Sequence, residues 1–277
     1  TRWMPARPGA RPLDAVPMAV QRALSETDGD VLVFLPGSGE IWRMADRIDG
    51  LVGPGGPRVF ALHGTMPAEE QDDAIAPSPP GRRKVVLATS IAETSLTIEG
   101  VRAVVDSGLA RVPRFDPRSG MTHLETIRVT QDAAEQRRGR AGRVAPGVCY
   151  RLWGESEHGA LLARRTPEIL SADLAPLALD LAQAGVDDPA TLAWLDEPPT
   201  TALSQARALL TELEALDPAG GPTSHGARMA SLGLHPRLAH LVLRGHEAGR
   251  TRLACEIAAL LGERDLFLRG GHDPDPD

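Results

Sequence analysis

Gln136-Arg137-Arg138-Gly139-Arg140-Ala141-Gly142-Arg143 sets four arginines in eight positions, with small residues between them. Arg140 and Arg143 are three apart, so on a helix they share one face. The glycines and alanine let a ligand or a second domain come close to the backbone. A planar, permanently charged guanidinium matches phosphate oxygens better than other side chains do. Two converging on one spot read as a polyphosphate clamp. A charge run alone usually marks the solvated end of a basic helix. Here the interleaved small residues and the strand-like Gly147-Val-Cys-Tyr-Arg-Leu-Trp run that follows argue for the clamp.

Working back from this stretch, apolar runs alternate with helical patterns. Asp30-Val-Leu-Val-Phe-Leu is continuously apolar and stops at Pro36-Gly37, as a strand buried on both faces does. Arg58–Leu62, Arg83–Ala88 and Val101–Val105 read as further strands. Helices are expected over Leu13–Leu24, around Ile41–Ile48, over Pro67–Ile75 and over Gln131–Arg138. Such alternation predicts an α/β fold: a parallel sheet with helices on both faces. Ligands meet such sheets at the carboxyl ends of strands, here the loops at 36–40, 63–67, 89–99 and 106–108. Residues 109–130 break the pattern. Two β-prone runs flank Asp116-Pro-Arg-Ser-Gly and predict a protruding hairpin dotted with Arg111, Arg114, Arg118 and Arg128.

Beyond Gly154, Ala/Leu-rich helices take over, with amphipathic stretches at 172–184 and 201–216. Asp217-Pro-Ala-Gly-Gly-Pro and the residues to Leu232 read as a turn and a short wing, followed by helices from Pro236 and from Arg250.

The chain has 277 residues, enough for two or three domains, and 42% hydrophobic residues, enough for packed cores. Aromatics are only 3%, so those cores are aliphatic. A net charge of −7 excludes a surface that wraps nucleic acid all round; any such binding must use local basic patches. Cys149 and Cys255 lie far apart, which excludes a cysteine zinc site and fits a reducing compartment. The histidines lack metal-ligand spacing. No run has the length of a membrane span and no signal peptide opens the chain, so a cytoplasmic location is expected.

Thr89-Ser90-Ile-Ala-Glu93-Thr94-Ser95-Leu-Thr97-Ile-Glu99-Gly100 follows the third strand and crowds five hydroxyls into one loop. Alone it reads as an ordinary Ser/Thr-rich turn. Beside the arginine stretch it reads differently. The octet resembles the last conserved motif of the second helicase superfamily in its DEAH-box form, Gln-Arg-x-Gly-Arg-Ala-Gly-Arg. The loop resembles the DEAH motif before it, with Ser90 for the usual Asn and Glu99 for the usual Asp, as in the bacterial HrpB-like branch. Val33-Phe34-Leu35-Pro36-Gly37, Leu62-His63-Gly64, Gln71 and Val-Val-Asp106-Ser-Gly108 fit the same family in the same order.

The resemblance implies roles. Gln136, Arg140 and Arg143 would face a γ-phosphate, the arginines as fingers that stabilise a loose phosphoryl-transfer state. Ser95 and Glu99 would serve the nucleotide site, and Glu99 a ribose hydroxyl. Thr89 and Thr97 would touch the nucleic-acid backbone, with Arg111, Arg114 and Arg118 of the hairpin. Phe115 would stack on a base. Arg137 and Arg138 would serve structure or a domain interface. Where many relatives carry an aromatic for the nucleotide base, this chain has Ala74-Ile75-Ala76-Pro77, so weak discrimination among NTPs is expected.

The chain has no Gly-x-x-x-x-Gly-Lys-Ser/Thr and no Asp-Glu-Ala-His. ATP with Mg²⁺ would therefore sit mainly on a preceding first RecA-like domain, and this chain alone should not turn over ATP. The expected domains are a second RecA-like domain at 1–153, a winged helix at 154–233 and the start of a helical ratchet-like domain at 234–277. The expected function is the C-terminal part of an ATP-dependent helicase acting on single-stranded RNA or DNA. The alternatives are a non-catalytic nucleic-acid-binding or assembly module and a DNA translocase.

Overall fold

The computed structural model describes residues 1–7, 9–94, 96–116, 120–143 and 145–262. The chain divides into two compact units, residues 1–114 with 123–166, and residues 115–122 with 167 onward.

The first unit is built on six parallel strands: β1 (Arg2–Trp3), β2 (Asp30–Phe34), β3 (Arg58–Leu62), β4 (Lys84–Ala88), β5 (Val101–Asp106) and β8 (Val148–Arg151), ordered β1-β8-β5-β2-β4-β3. Between them run α1 (Val16–Glu26), α2 (Ser38–Val52), α3 (Ala68–Ile75) and α4 (Gln131–Gly139), and after β8 comes a short α5 (Glu155–Gly159). The apolar alternation in the central strands explains the layers. Val31, Val33, Val85, Leu87, Ala103 and Val105 face α1 and α2, and pack on Val16, Val20, Ile41, Met44 and Ile48. Leu32, Phe34, Val86, Ala88 and Val104 point the other way, onto Ala74 of α3 and Ala141. Every residue of β2 and β4 is buried, as the continuous apolar runs require.

Strands β6 (Leu109–Asp116) and β7 (Met121–Arg128) pair as a separate two-stranded sheet, the expected hairpin. The chain enters it through Gly108, whose φ is +75°. A Cβ there would lie 2.7 Å from Cε3 of the buried Trp153, so the position needs glycine for both shape and space.

The second unit holds α6 (Ala175–Gln183), α7 (Thr200–Glu212), α8 (Ser224–Ser231), α9 (Pro236–Glu247) and α10 (Thr251–Gly262). Its core is aliphatic: Leu174, Leu179, Leu203, Leu210, Met229 and Leu243 with alanines between. The expected wing is corrected in part. Residues 217–221 turn, and Leu216 forms an antiparallel bridge with Pro222, but the segment after it is helix. The Thr223 hydroxyl caps that helix by accepting from Gly226 N at 3.0 Å, which favours helix over strand.

Candidate nucleotide and nucleic-acid site

Helix α4 stops at Gly139, so Arg140 and Arg143 do not share a helix face as the spacing predicts. Arg140 is its C-cap, and a turn carries the chain to Arg143. Glycines 139 and 142 are poor helix formers and account for the early stop. The two side chains nevertheless converge, because both reach the loop after β4. Arg140 is only 7% exposed. Its guanidinium donates to the backbone oxygens of Leu96, at 2.6 Å, and of Glu93. Arg143 is exposed and donates to Thr97 Oγ1 at 2.5 Å. Burial first, and the neighbouring Arg143 second, hold the Arg140 pKa below the ordinary guanidinium value. Leu32, Leu96 and Ile98 line the cleft with them; its volume is about 10 Å³, far below what a nucleotide occupies.

Arg137 lies under this pair with none of its surface open. Its guanidinium donates to Glu93 Oε1 at 2.8 Å, to Asp106 Oδ1 at 2.8 Å and to the Leu109 carbonyl at 3.1 Å, and lies 4.9 Å from the centre of the Phe34 ring. Burial opposes its charge, but Asp106 and Glu93 together outweigh burial and raise its pKa. Glu93 thus serves three arginines, its carboxylate holding Arg137 and, at 3.6 Å, Arg165, and its carbonyl Arg140. Sequence reasoning named neither Glu93 nor Asp106 as a site residue. The signal was available: each acid closes a loop at the carboxyl end of a buried strand, where a buried cation needs a partner.

The remaining candidates are not gathered at this cleft. Thr89 is half-buried, and its N–H donates to the Leu62 carbonyl at 3.2 Å. Gln136 and Glu99 are exposed. Arg111 lies beside Glu40 Oε1 of α2, at 3.4 Å, and against Gly37, where a Cβ would meet its Nη1 at 2.9 Å. Arg114 pairs across the hairpin with Glu125 at 2.7 Å. Phe115 is half-buried. Ser95 and Arg118 lie outside the described residues. Among the described residues, no three His, Cys, Asp or Glu side chains group to hold a metal ion, and no helix is long and apolar enough to cross a membrane. A larger cavity of about 470 Å³ opens near the amino ends of β3 and β4, lined by Arg58, Phe60, Asp73, Ala76, Pro77 and Arg82; of the stretches singled out in the sequence for a site, only the Ala76-Pro77 neighbourhood lines it.

A parallel sheet of this order, with a hairpin after β5 and arginines gathered on the loop after β4, defines a class. Residues 15–145 match the helicase conserved C-terminal domain, and the chain as a whole is similar to DEAH-box helicases. Within that class it is similar to the ATP-dependent RNA helicase HrpB of Escherichia coli (strain K12), 43% identical over 95% of this chain and 32% of that protein. It is 38% identical to the pre-mRNA-splicing factor ATP-dependent RNA helicase prp22 of Schizosaccharomyces pombe, over 95% of this chain and 23% of that one. A crystal structure of the Escherichia coli DEAH/RHA helicase HrpB superposes with a TM-score of 0.89 at 42% identity, covering 96% of this chain and 34% of that chain. The chain thus spans a third or less of the curated relatives it matches.

Proposed function

We propose that this chain works as the C-terminal part of an ATP-dependent helicase, with single-stranded RNA as its substrate. One observation carries the reading. The loop expected to touch the strand and the arginines expected to face the nucleotide are hydrogen-bonded to each other, through Arg143 to Thr97 and Arg140 to Glu93 and Leu96. A motor needs that adjacency, because strand binding and phosphate chemistry must report to one another. Relatives named as ATP-dependent RNA helicases support the same reading.

In this proposal a first RecA-like domain supplies most of the seat for ATP and Mg²⁺, because the cleft beside Arg140 and Arg143 is too small to hold a nucleotide. The exposed Arg143 reaches the γ-phosphate, with Gln136 beside it. Arg140 joins it as a second finger on giving up its carbonyl bonds to Glu93 and Leu96. Ser95 and Glu99 complete the nucleotide side. Thr89, Thr97, Arg111, Arg114 and Arg118 hold the strand backbone, and Phe115 stacks on a base. Residues 154–233 serve as a winged-helix domain and the chain from 234 opens a ratchet-like domain, and the protein is cytoplasmic. With alanine at 76, selectivity among ATP, GTP, CTP and UTP is weak.

The test is RNA-stimulated ATP turnover in a polypeptide that carries this chain behind a Walker-motif domain. Arg143→Ala lowers turnover by roughly 10³–10⁵ while RNA binding persists. Turnover within about threefold of the parent would remove Arg143 from the chemistry and, with it, the reading of this rim as half of a nucleotide site.

A further inference from the structure

The geometry points to Trp42 as a base-stacking platform for single-stranded nucleic acid on the rim where the carboxyl ends of β3 and β4 meet α2. This rests on the strand-binding reading above and names a residue which that reading does not include.

Trp42 is 55% exposed and sits off the apolar stripe that α2 turns to the core, formed by Ile41, Met44 and Ile48. Of the four tryptophans in the chain it is the exposed one; Trp3, Trp153 and Trp194 are wholly or partly buried. A single exposed apolar side chain is ordinary on a protein surface. Three features set this one apart. First, the indole is held in place: it stands at 79° to the His63 ring with centroids 6.2 Å apart. His63 is itself buried and bonded through Nδ1 to Thr65 Oγ1 at 2.8 Å, so the support is rigid. Second, the two residues that follow His63, Gly64 and Thr65, are open to solvent, and a Cβ on Gly64 would lie 3.9 Å from Ile91 Cδ1 in the hydroxyl-rich loop after Thr89. Third, the next residue on the helix, Arg43, is 61% exposed at its side chain; it donates one N–H to Glu40 Oε1 at 3.0 Å and has further donors for a phosphate.

A fixed, half-open indole beside exposed amides, hydroxyls and a guanidinium is the combination that holds an unpaired base and its phosphate at once. The ring takes the base face, which every nucleotide offers, and the polar groups take the backbone. The platform is therefore tolerant of sequence and specific for unpaired strands, since a duplex hides its base faces.

The test is a fluorescence titration of the whole chain with a single-stranded RNA of about 12 nucleotides, and with an abasic oligomer of equal length and charge. The RNA quenches tryptophan emission, and the abasic oligomer binds more weakly and leaves emission unchanged. Trp42→Ala weakens RNA binding roughly tenfold or more and loses the quench, while Trp42→Phe stays within about threefold of the parent. Unchanged melting of both variants, expected for an exposed position, shows that folding is intact. RNA binding by Trp42→Ala equal to the parent's, or equal binding of the abasic oligomer, overturns the platform and leaves the helicase reading standing. Absence of RNA binding by the parent chain overturns both.

Discussion

Arg137 carries a permanent charge with none of its surface open to water, a situation that only its partners make tolerable. Arg137→Ala would leave the buried Asp106 without its counter-charge and Glu93 with only the more distant Arg165, at 3.6 Å. It should destabilise the first unit by about 3–5 kcal/mol, read as a lower denaturant midpoint. Arg137→Lys should recover only part of this, because a single ammonium cannot replace a planar fork that serves two carboxylates and the Leu109 carbonyl. Burial raises the Cys149 thiol pKa to about 12, whereas Cys255 is exposed. An alkylating reagent should modify Cys255 in the native chain and reach Cys149 only on denaturation, checked by mass spectrometry. At this scale the sequence told which arginines matter more readily than how. The motif marks Arg140 and Arg143 together, yet one is pinned by two carbonyls and the other is open. That difference arises from where the loop after β4 folds back, a long-range fact that local spacing does not encode.

At the level of elements, the buried strands were legible because their apolar runs have one explanation. Arg58–Leu62 lies where the residues predict it, and β2, β4 and β5 differ from their readings only at the ends. Helix ends were less legible. α4 ends one residue past its expected close at Arg138, but α1 and α2 depart further from their expected limits, and α8 replaces part of an expected wing. In the second case Gly-Gly-Pro signals a hairpin, but the cap at Thr223 and the close approach of Gly226 to the Ala215 carbonyl commit the next residues to helix. Helices α8 and α9 meet through His225 Nε2 and His240 Nδ1, 3.0 Å apart. Burial first, then His240 and Arg244, lower the His225 pKa, with Glu247 and Glu214 acting the other way. A depressed histidine pKa means that the fold favours the neutral ring. The pair's stabilising share is full above the unfolded value, near 6.5, and is lost as the pH falls through it towards the folded value. Melting of the second unit should therefore fall between about pH 7.5 and about pH 5.5, and His225→Gln should flatten that dependence. A melting profile of the parent flat over this range would count against the coupling.

For the whole molecule, charge limits what binding can look like. With a net charge of −7, attraction to nucleic acid must come from a few side chains, such as Arg43, Arg111 and Arg114. With Arg118 as a fourth, the logarithm of RNA affinity against that of salt should slope no more steeply than about −3, since roughly four phosphates are neutralised. A slope near −6 would reveal a far larger basic surface than these side chains form. The loss of strands past Gly154 was legible, whereas the division at residues 166/167 and the grouping of the hairpin tip with residues 167 onward were not, because contact between distant segments leaves no local pattern. Glu93 carries the last consequence. One residue grips Arg137 with its carboxylate and Arg140 with its carbonyl, so the hydroxyl-rich loop cannot slide without dragging the arginine turn behind it. In the proposed reading, a strand pulling on that loop would tug through Arg137 on the turn that carries Arg140 and Arg143, even after Arg140 has left the Glu93 carbonyl. Force and chemistry would then share a single rigid joint, with no relay of intermediate side chains between them.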